Sequence, residues 1–238
     1  MYSYSVEYED SDLPQDKMDV FIDDEIGKIR DKINTLIAED ITRIKQPPNL
    51  RIEVVDGVKY PHVTDIISLG ITPAIPHIEE HAYLGNLLDA CMKEFVDEGT
   101  IVYPDNIRPI PNITVTFTDI FDALRGWWKE YGSQMHFDRH SVKGINTVHR
   151  YLGELDATGT YHSKKAIFDF KKTKKISGEL KDKYFMQMAA YANFDKTTKP
   201  EVLVICSPFN PPIVTDEIGK YYEMFLAKRK EYKTKFGV

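Results

Sequence analysis

The chain has 238 residues, 42% of them apolar and 29% charged, with a net charge of −6; this suits one sizeable soluble domain with an appendage. No apolar run is long enough to cross a bilayer, and the start lacks the basic and apolar stretches of a secretory signal. Two cysteines, Cys91 and Cys206, exclude a disulfide framework or a four-cysteine iron–sulfur cluster and point to buried thiols in a reducing compartment.

The charge is unevenly placed. Residues 1–138 carry 12 Lys and Arg against 26 Asp and Glu, whereas residues 139–238 carry 19 against 11. A basic half can hold phosphates while an acidic half limits indiscriminate binding, although charge clusters are as often plain solvated faces.

Residues 1–49 read as an acidic flexible tail plus an amphipathic helix, and residues 50–238 as the main domain. Ile22, Ile26, Ile29, Ile33 and Ile37 recur at helical spacing over 19–44, and Pro47-Pro48 stops them. Two β-prone runs then flank Asp56-Gly57, a dipeptide suited to a tight hairpin turn. A short helix is predicted from Val63, a longer one over 78–96, an irregular Pro-rich stretch over 100–117, and a helix from Thr118 that carries Trp127 and Trp128. Strands follow at 136–142, 147–160 and 165–171, with turns at 143–146 and 161–163. A helix over 181–194, a buried strand over 202–206 and a helix over 216–232 complete the chain; Ile218, Tyr222, Phe225 and Leu226 are candidate core contacts of the last. Hairpins followed by helix–strand–helix predict an α/β fold, a mixed central sheet flanked by helices.

The chemistry concentrates in three short segments. Asp169 follows the apolar run Ala166-Ile167-Phe168, and a buried carboxylate there is costly without a compensating cation or donors. Lys171 lies two residues on, so the period of a strand puts both side chains on one face. Asp156 ends the preceding strand, and a hairpin would bring it beside Asp169. Two close carboxylates repel, and a hard divalent cation relieves the repulsion. Mg²⁺ or Mn²⁺ held by Asp156, Asp169 and the Phe170 carbonyl would suit phosphodiester hydrolysis, with Lys171 orienting or deprotonating the attacking water. An isolated Asp-x-Lys is more often a plain ion pair. Gln187 and Tyr191, four apart on a helix, share one face.

The order Gly153/Asp156, Asp169/Lys171, Gln187/Tyr191 resembles the RecB-type branch of the PD-(D/E)XK nucleases. Upstream, Asp56-Gly57 and Tyr60-Pro61-His62-Val63-Thr64-Asp65-Ile66-Ile67 are similar to a segment of the mitochondrial genome maintenance exonuclease group and its bacterial and phage relatives, with His62 where that group has Ser. That group carries a metal-site His four residues after a helical Gly; here Gly85 is followed by Asp89, itself a competent oxygen ligand. Glu79, Glu80 and His81 are fallback ligands. The resemblance implies a restriction-endonuclease-like core with catalytic Asp156, Asp169, Lys171, Gln187 and Tyr191, and a metal site of Asp89, Asp156, Asp169 and Phe170. Thr64, Lys172, Lys174, Lys175 and Lys183 would contact DNA. Tyr60, Trp127, Trp128 and Tyr184 are aromatics that could stack on unpaired bases or fill the core.

The expected function is a Mg²⁺- or Mn²⁺-dependent DNA exonuclease acting on single-stranded ends in recombination, replication or repair. The expected setting is the cytoplasm of a bacterium or phage-infected cell rather than a mitochondrial matrix, with no membrane attachment. The alternatives are a structure- or sequence-specific endonuclease and a nucleic-acid-binding or assembly protein without activity. Residues 1–45 are a candidate contact for a replication or recombination protein, or for oligomerisation.

Overall fold

Asp56 and Gly57 both take positive φ, 49° and 76°, and so close a hairpin whose twist matches its strands. The strands are β1 (Ile52–Val55) and β2 (Val58–Pro61), paired antiparallel. The computed structural model describes Lys28 and residues 50–69, 78–98 and 117–238. The helix predicted over 19–44, Lys28 apart, and the Pro-rich stretch up to residue 116 therefore lie outside the described residues. Helix α1 (Val63–Ser68) starts where the sequence predicts it and ends at Leu69 in the left-handed conformation. Helices α2 (Ile78–Glu98) and α3 (Phe117–Tyr131) follow, the latter leading through a single 3-10 turn into the sheet.

That sheet has five strands in chain order: β3 (Met135–Asn146), β4 (Tyr151–Tyr161), β5 (Lys164–Phe170), β6 (Val202–Ser207) and β7 (Asn210–Thr215). All neighbours are antiparallel except β5 and β6, which run parallel. The parallel pair lies at the centre of the order, and its residues Ala166–Asp169 and Val202–Ser207 are buried without alternation, as strands covered on both faces must be. Helix α4 (Gly178–Tyr191) connects β5 to β6, and α5 (Ile218–Phe236) closes the chain. The α/β class and mixed sheet read from the sequence hold. Among the described residues no helix is long and apolar enough to cross a membrane.

Two cores sandwich the sheet. Helices α2 and α3 pack Leu84, Leu87, Met92 and Trp127 against Ala166, Phe168 and Val204. On the other face α1, α4 and α5 pack Val63, Ile66, Met188 and Phe225 against Ile167, Leu203 and Ile205. Cys91 and Cys206 are buried thiols of the first core, outside any disulfide, as expected, and burial pushes the Cys91 thiol up to about 12. In α5 Phe225 is fully buried while Ile218, Tyr222 and Leu226 are partly so; Tyr221 and Tyr232 carry the rest of that contact.

Several boundaries differ from the sequence reading. The turn predicted at 143–146 is the end of β3, and the chain reverses over 147–150 instead. Gly144 marks a close approach rather than a turn, because a Cβ there would lie 2.0 Å from the Phe194 ring. Asn146 ends the strand: its amide donates to the Asn193 carbonyl at 2.6 Å, and its Oδ1 accepts the His149 N–H at 2.7 Å. Helix α4 begins and ends three residues earlier than predicted, and Asp156 sits within β4 rather than at its end. Strand β7 was not anticipated. It contains Pro211 and Pro212, tolerated because it is an edge strand paired only with β6.

Candidate active site

Strands β4 and β5 pair only from Ala157↔Phe168 outward to Tyr161↔Lys164. Beyond that point they part, and His62 bridges to Leu152 on the other half of β4. Tyr151 and Leu155 belong to the α4/α5 core but Ala157 to the α2/α3 core. Side-chain alternation along β4 therefore slips at Asp156, where the strands diverge. This fork exposes a main-chain donor that the ladder no longer uses, and Asp156 takes it: its Oδ2 accepts the Phe170 N–H at 2.7 Å.

Asp169 is 1% exposed. Its Oδ1 accepts from Lys171 Nζ at 2.7 Å, while Oδ2 is buried without a hydrogen-bond partner. Lys171 has left the strand, yet its N–H donates to the Cys206 carbonyl at 2.8 Å. The β5–β6 ladder thus holds its backbone for one more residue, which keeps Lys171 on the Asp169 face. Tyr191, 3% exposed, reaches the same cluster from α4, and its hydroxyl accepts from Gln187 Nε2 at 2.9 Å. Gly153 makes this reach possible, because a Cβ there would lie 2.8 Å from the Tyr191 ring. The Gly-x-x-Asp spacing has a steric content: the glycine admits the phenol and Asp156 meets it three residues later.

The electrostatics follow from burial. Asp156 is pushed up to about 7, first by loss of solvent and then by the Asp169 charge; Lys171 and the Phe170 N–H pull the other way. Burial also raises Asp169, against the opposing charge and hydrogen bond of Lys171. For Lys171 burial disfavours the ammonium, but the Asp169 and Asp156 carboxylates outweigh it and leave the group above its ordinary value. The Tyr191 phenol is raised by burial and by both carboxylates. Two carboxylates against one ammonium leave an excess of negative charge, partly met by a retained proton.

This donor set fits a hard divalent cation. It offers carboxylate oxygens, one of them buried and unpartnered, in a place where a second positive charge would remove the repulsion. The Phe170 ring packs against Phe137, with centroids 5.8 Å apart, on the α2/α3 side. Asp89 stands farther out. Its charge is felt at both Asp156 and Asp169, but its carboxylate is paired with Lys93 at 2.9 Å. Among the described residues no three His, Cys, Asp or Glu side chains converge as a ligand set, so Asp89 is near the pair without joining it. The side chains of Glu79, Glu80 and His81 lie outside the described residues.

The residues expected to contact DNA are scattered. Thr64 is partly buried on α1 and accepts a hydrogen bond from the Arg51 guanidinium, which also pairs with Asp65 at 3.0 Å. Lys172 is half-buried, with its stem passing Gly85 of α2. Lys174, Lys175 and Lys183 are exposed, with Lys174 Nζ 5.4 Å from the Phe209 ring centroid. Of the four aromatics, Tyr60 and Trp127 are core residues, and Trp128 packs edge-on to Phe95 at 4.2 Å. Only Tyr184 stands beside the cluster, with Lys171 Nζ 5.1 Å from its ring centroid.

Sequence reading missed the brace behind this site. The Thr173 carbonyl accepts from Ser207 Oγ at 2.9 Å and from Asn210 Nδ2 at 3.2 Å. The Asn210 carbonyl in turn accepts the Trp127 indole N–H at 2.7 Å. The signal was the polar Ser207-Pro208-Phe209-Asn210 turn directly after a wholly apolar strand. Comparison with known proteins adds nothing to the geometry: no family model and no curated protein matches this sequence.

Proposed function

We propose that this chain is a metal-dependent nuclease hydrolysing DNA phosphodiester bonds at the Asp156–Asp169–Lys171 cluster. The observation that carries the reading is Asp169: one oxygen clasped by Lys171, the other buried and unpartnered, beside a second carboxylate raised by loss of solvent and then by the Asp169 charge. A plain structural ion pair would need neither the second carboxylate nor the unpartnered oxygen.

Asp156 and Asp169, with the Phe170 carbonyl and, once turned from Lys93, Asp89 as further candidates, would hold Mg²⁺ or Mn²⁺, which polarises a phosphate and acidifies water when bound. Lys171 places an ammonium against the same carboxylates, where it can orient the attacking water and offset charge developing on phosphate oxygens. Gln187 fixes the Tyr191 hydroxyl, and the phenol shields the carboxylate pair from bulk water. Lys174, Lys175 and Lys183 supply sequence-independent contacts to phosphates beside the cluster. The resemblance to RecB-type enzymes supports exonucleolytic action on single-stranded ends, in recombination, replication or repair.

The test is digestion of end-labelled linear and of covalently closed circular DNA, single- and double-stranded, with Mg²⁺ or Mn²⁺. Asp169→Ala and Lys171→Ala serve as controls. Loss of linear single strands with circles spared, and no cutting by either variant, is expected. Cut circles would make it an endonuclease. Binding without cutting would leave a nucleic-acid-binding protein, and unchanged cutting by both variants would remove the proposed site.

A further inference from the structure

Lys171 has a long, flexible stem, and such side chains lose much rotamer freedom when held in one geometry. One side of its ammonium is fixed by Asp169 at 2.7 Å. The other side meets the face of Tyr184, 5.1 Å from the ring centroid, within the range where an aromatic quadrupole attracts a cation. Tyr184 precedes Gln187 by three residues on α4 and so shares the face that carries Gln187 and Tyr191 toward the site. Its ring is not free to turn away. The hydroxyl hydrogen-bonds with Thr173 Oγ1 at 3.2 Å, and the Thr173 carbonyl is held by Ser207 and Asn210 across the β6–β7 turn. Asn210 is anchored in turn to Trp127 of α3. A chain of contacts therefore runs from the far helix layer, through the basic loop, to the aromatic face against the lysine.

We propose that Tyr184 is a positioning residue for Lys171: its ring, pinned through Thr173 to the β6–β7 turn, keeps the ammonium against Asp169 and limits its other rotamers. The inference rests on Lys171 being the working cation of the nuclease reading, although the geometric claim stands apart from activity. The ring matters more than the hydroxyl, because the face touches the ammonium and the hydroxyl only steadies the ring.

The experiment compares Tyr184→Phe, which keeps the ring, with Tyr184→Leu, which removes it at a helix-compatible volume. Lys171 is followed by NMR in ¹³C-lysine protein, its signals assigned through Lys171→Arg. In the wild type and in Tyr184→Phe the Lys171 Cε protons should be displaced upfield by the ring. In Tyr184→Leu they should return to the ordinary lysine position. In the cleavage assay Tyr184→Leu should lower kcat about tenfold with KM nearly unchanged, the factor that ~1.4 kcal/mol of lost positioning gives. Tyr184→Phe should recover to within about threefold of wild type. Lys171 signals that do not move in Tyr184→Leu, or a Phe variant as impaired as the Leu variant, would overturn the proposal. If the wild type cuts no DNA, the nuclease reading falls alone and the NMR arm still decides the positioning. Should Tyr184→Leu fail to fold, Tyr184→Met is read by the same signals.

Discussion

Replacing Asp156 with Asn tests the electrostatic account of the site without changing its shape. The amide keeps an oxygen for the Phe170 N–H and gains a donor for the unpartnered Asp169 Oδ2. In the native protein Asp156 holds its proton up to about 7, against an ordinary value of 3.8. The native state therefore binds more protons than the unfolded chain across that window, so stability falls as pH rises from about 4 to about 7 and is level above it. Three units of displacement correspond to about 4 kcal/mol for the full charge. Because Asp169 can share the retained proton, Asp156→Asn is expected to be more stable than wild type at pH 8 by ~2 kcal/mol without divalent cations. The gain should be smaller at pH 5, where wild-type Asp156 is still protonated. Urea unfolding in chelator at the two pH values reads this directly, since a change of midpoint at constant slope is a change of stability. Adding Mn²⁺ at pH 8 should stabilise the wild type more than the variant, because a ligand that binds only the native state stabilises in proportion to its affinity. Equal unfolding midpoints for the two proteins at both pH values would refute the argument that two crowded carboxylates strain this fork.

Gly153→Ala should destabilise by ~1–3 kcal/mol, as overpacking does, because its Cβ would stand 2.8 Å from a Tyr191 ring that is itself 3% exposed. Cleavage should fall further than the loss of folded protein explains, and chemical unfolding beside activity at 20 °C separates the two; normal activity would mean that the phenol has no fixed place in the site. Lys174→Ala with Lys175→Ala should weaken binding of DNA of any sequence and lower the slope of log affinity against log salt by about 1.4 for single strands. A fluorescence-anisotropy titration with an unchanged slope would remove the basic loop from the interface.

What the sequence made legible was local. Asp56-Gly57 demands a tight turn wherever it stands between β-prone runs, and Asp169 with Lys171 shares a face through the period of a strand, whatever surrounds it. Less legible were features decided by distant packing. Gly144 reads as a turn residue in isolation, yet it lies under the Phe194 ring, a residue far along the chain, 2.0 Å from where a Cβ would stand. The two prolines of β7 argue against a strand until its edge position is known. The resemblance makes Asp89 a candidate ligand, and only the folded helix adds that Lys93 one turn on pairs with its carboxylate at 2.9 Å.

Asp156 shows why the rest of the site could not be read from spacing alone. Its partner is the Phe170 N–H, a group that any regular β4–β5 ladder would have consumed. The bond exists because the two strands part after Ala157↔Phe168, and they part because another segment, with His62 bridging Leu152 and Val63 fully buried behind it, takes the place β5 gives up. The hairpin-Pro-His-Val-Thr segment is thus structural as well as suggestive: it wedges the fork in which the carboxylates meet. A substitution that unseats α1, such as Val63→Asp, should let β4 and β5 close up or the domain unfold. Either result would remove the cluster without touching one of its members.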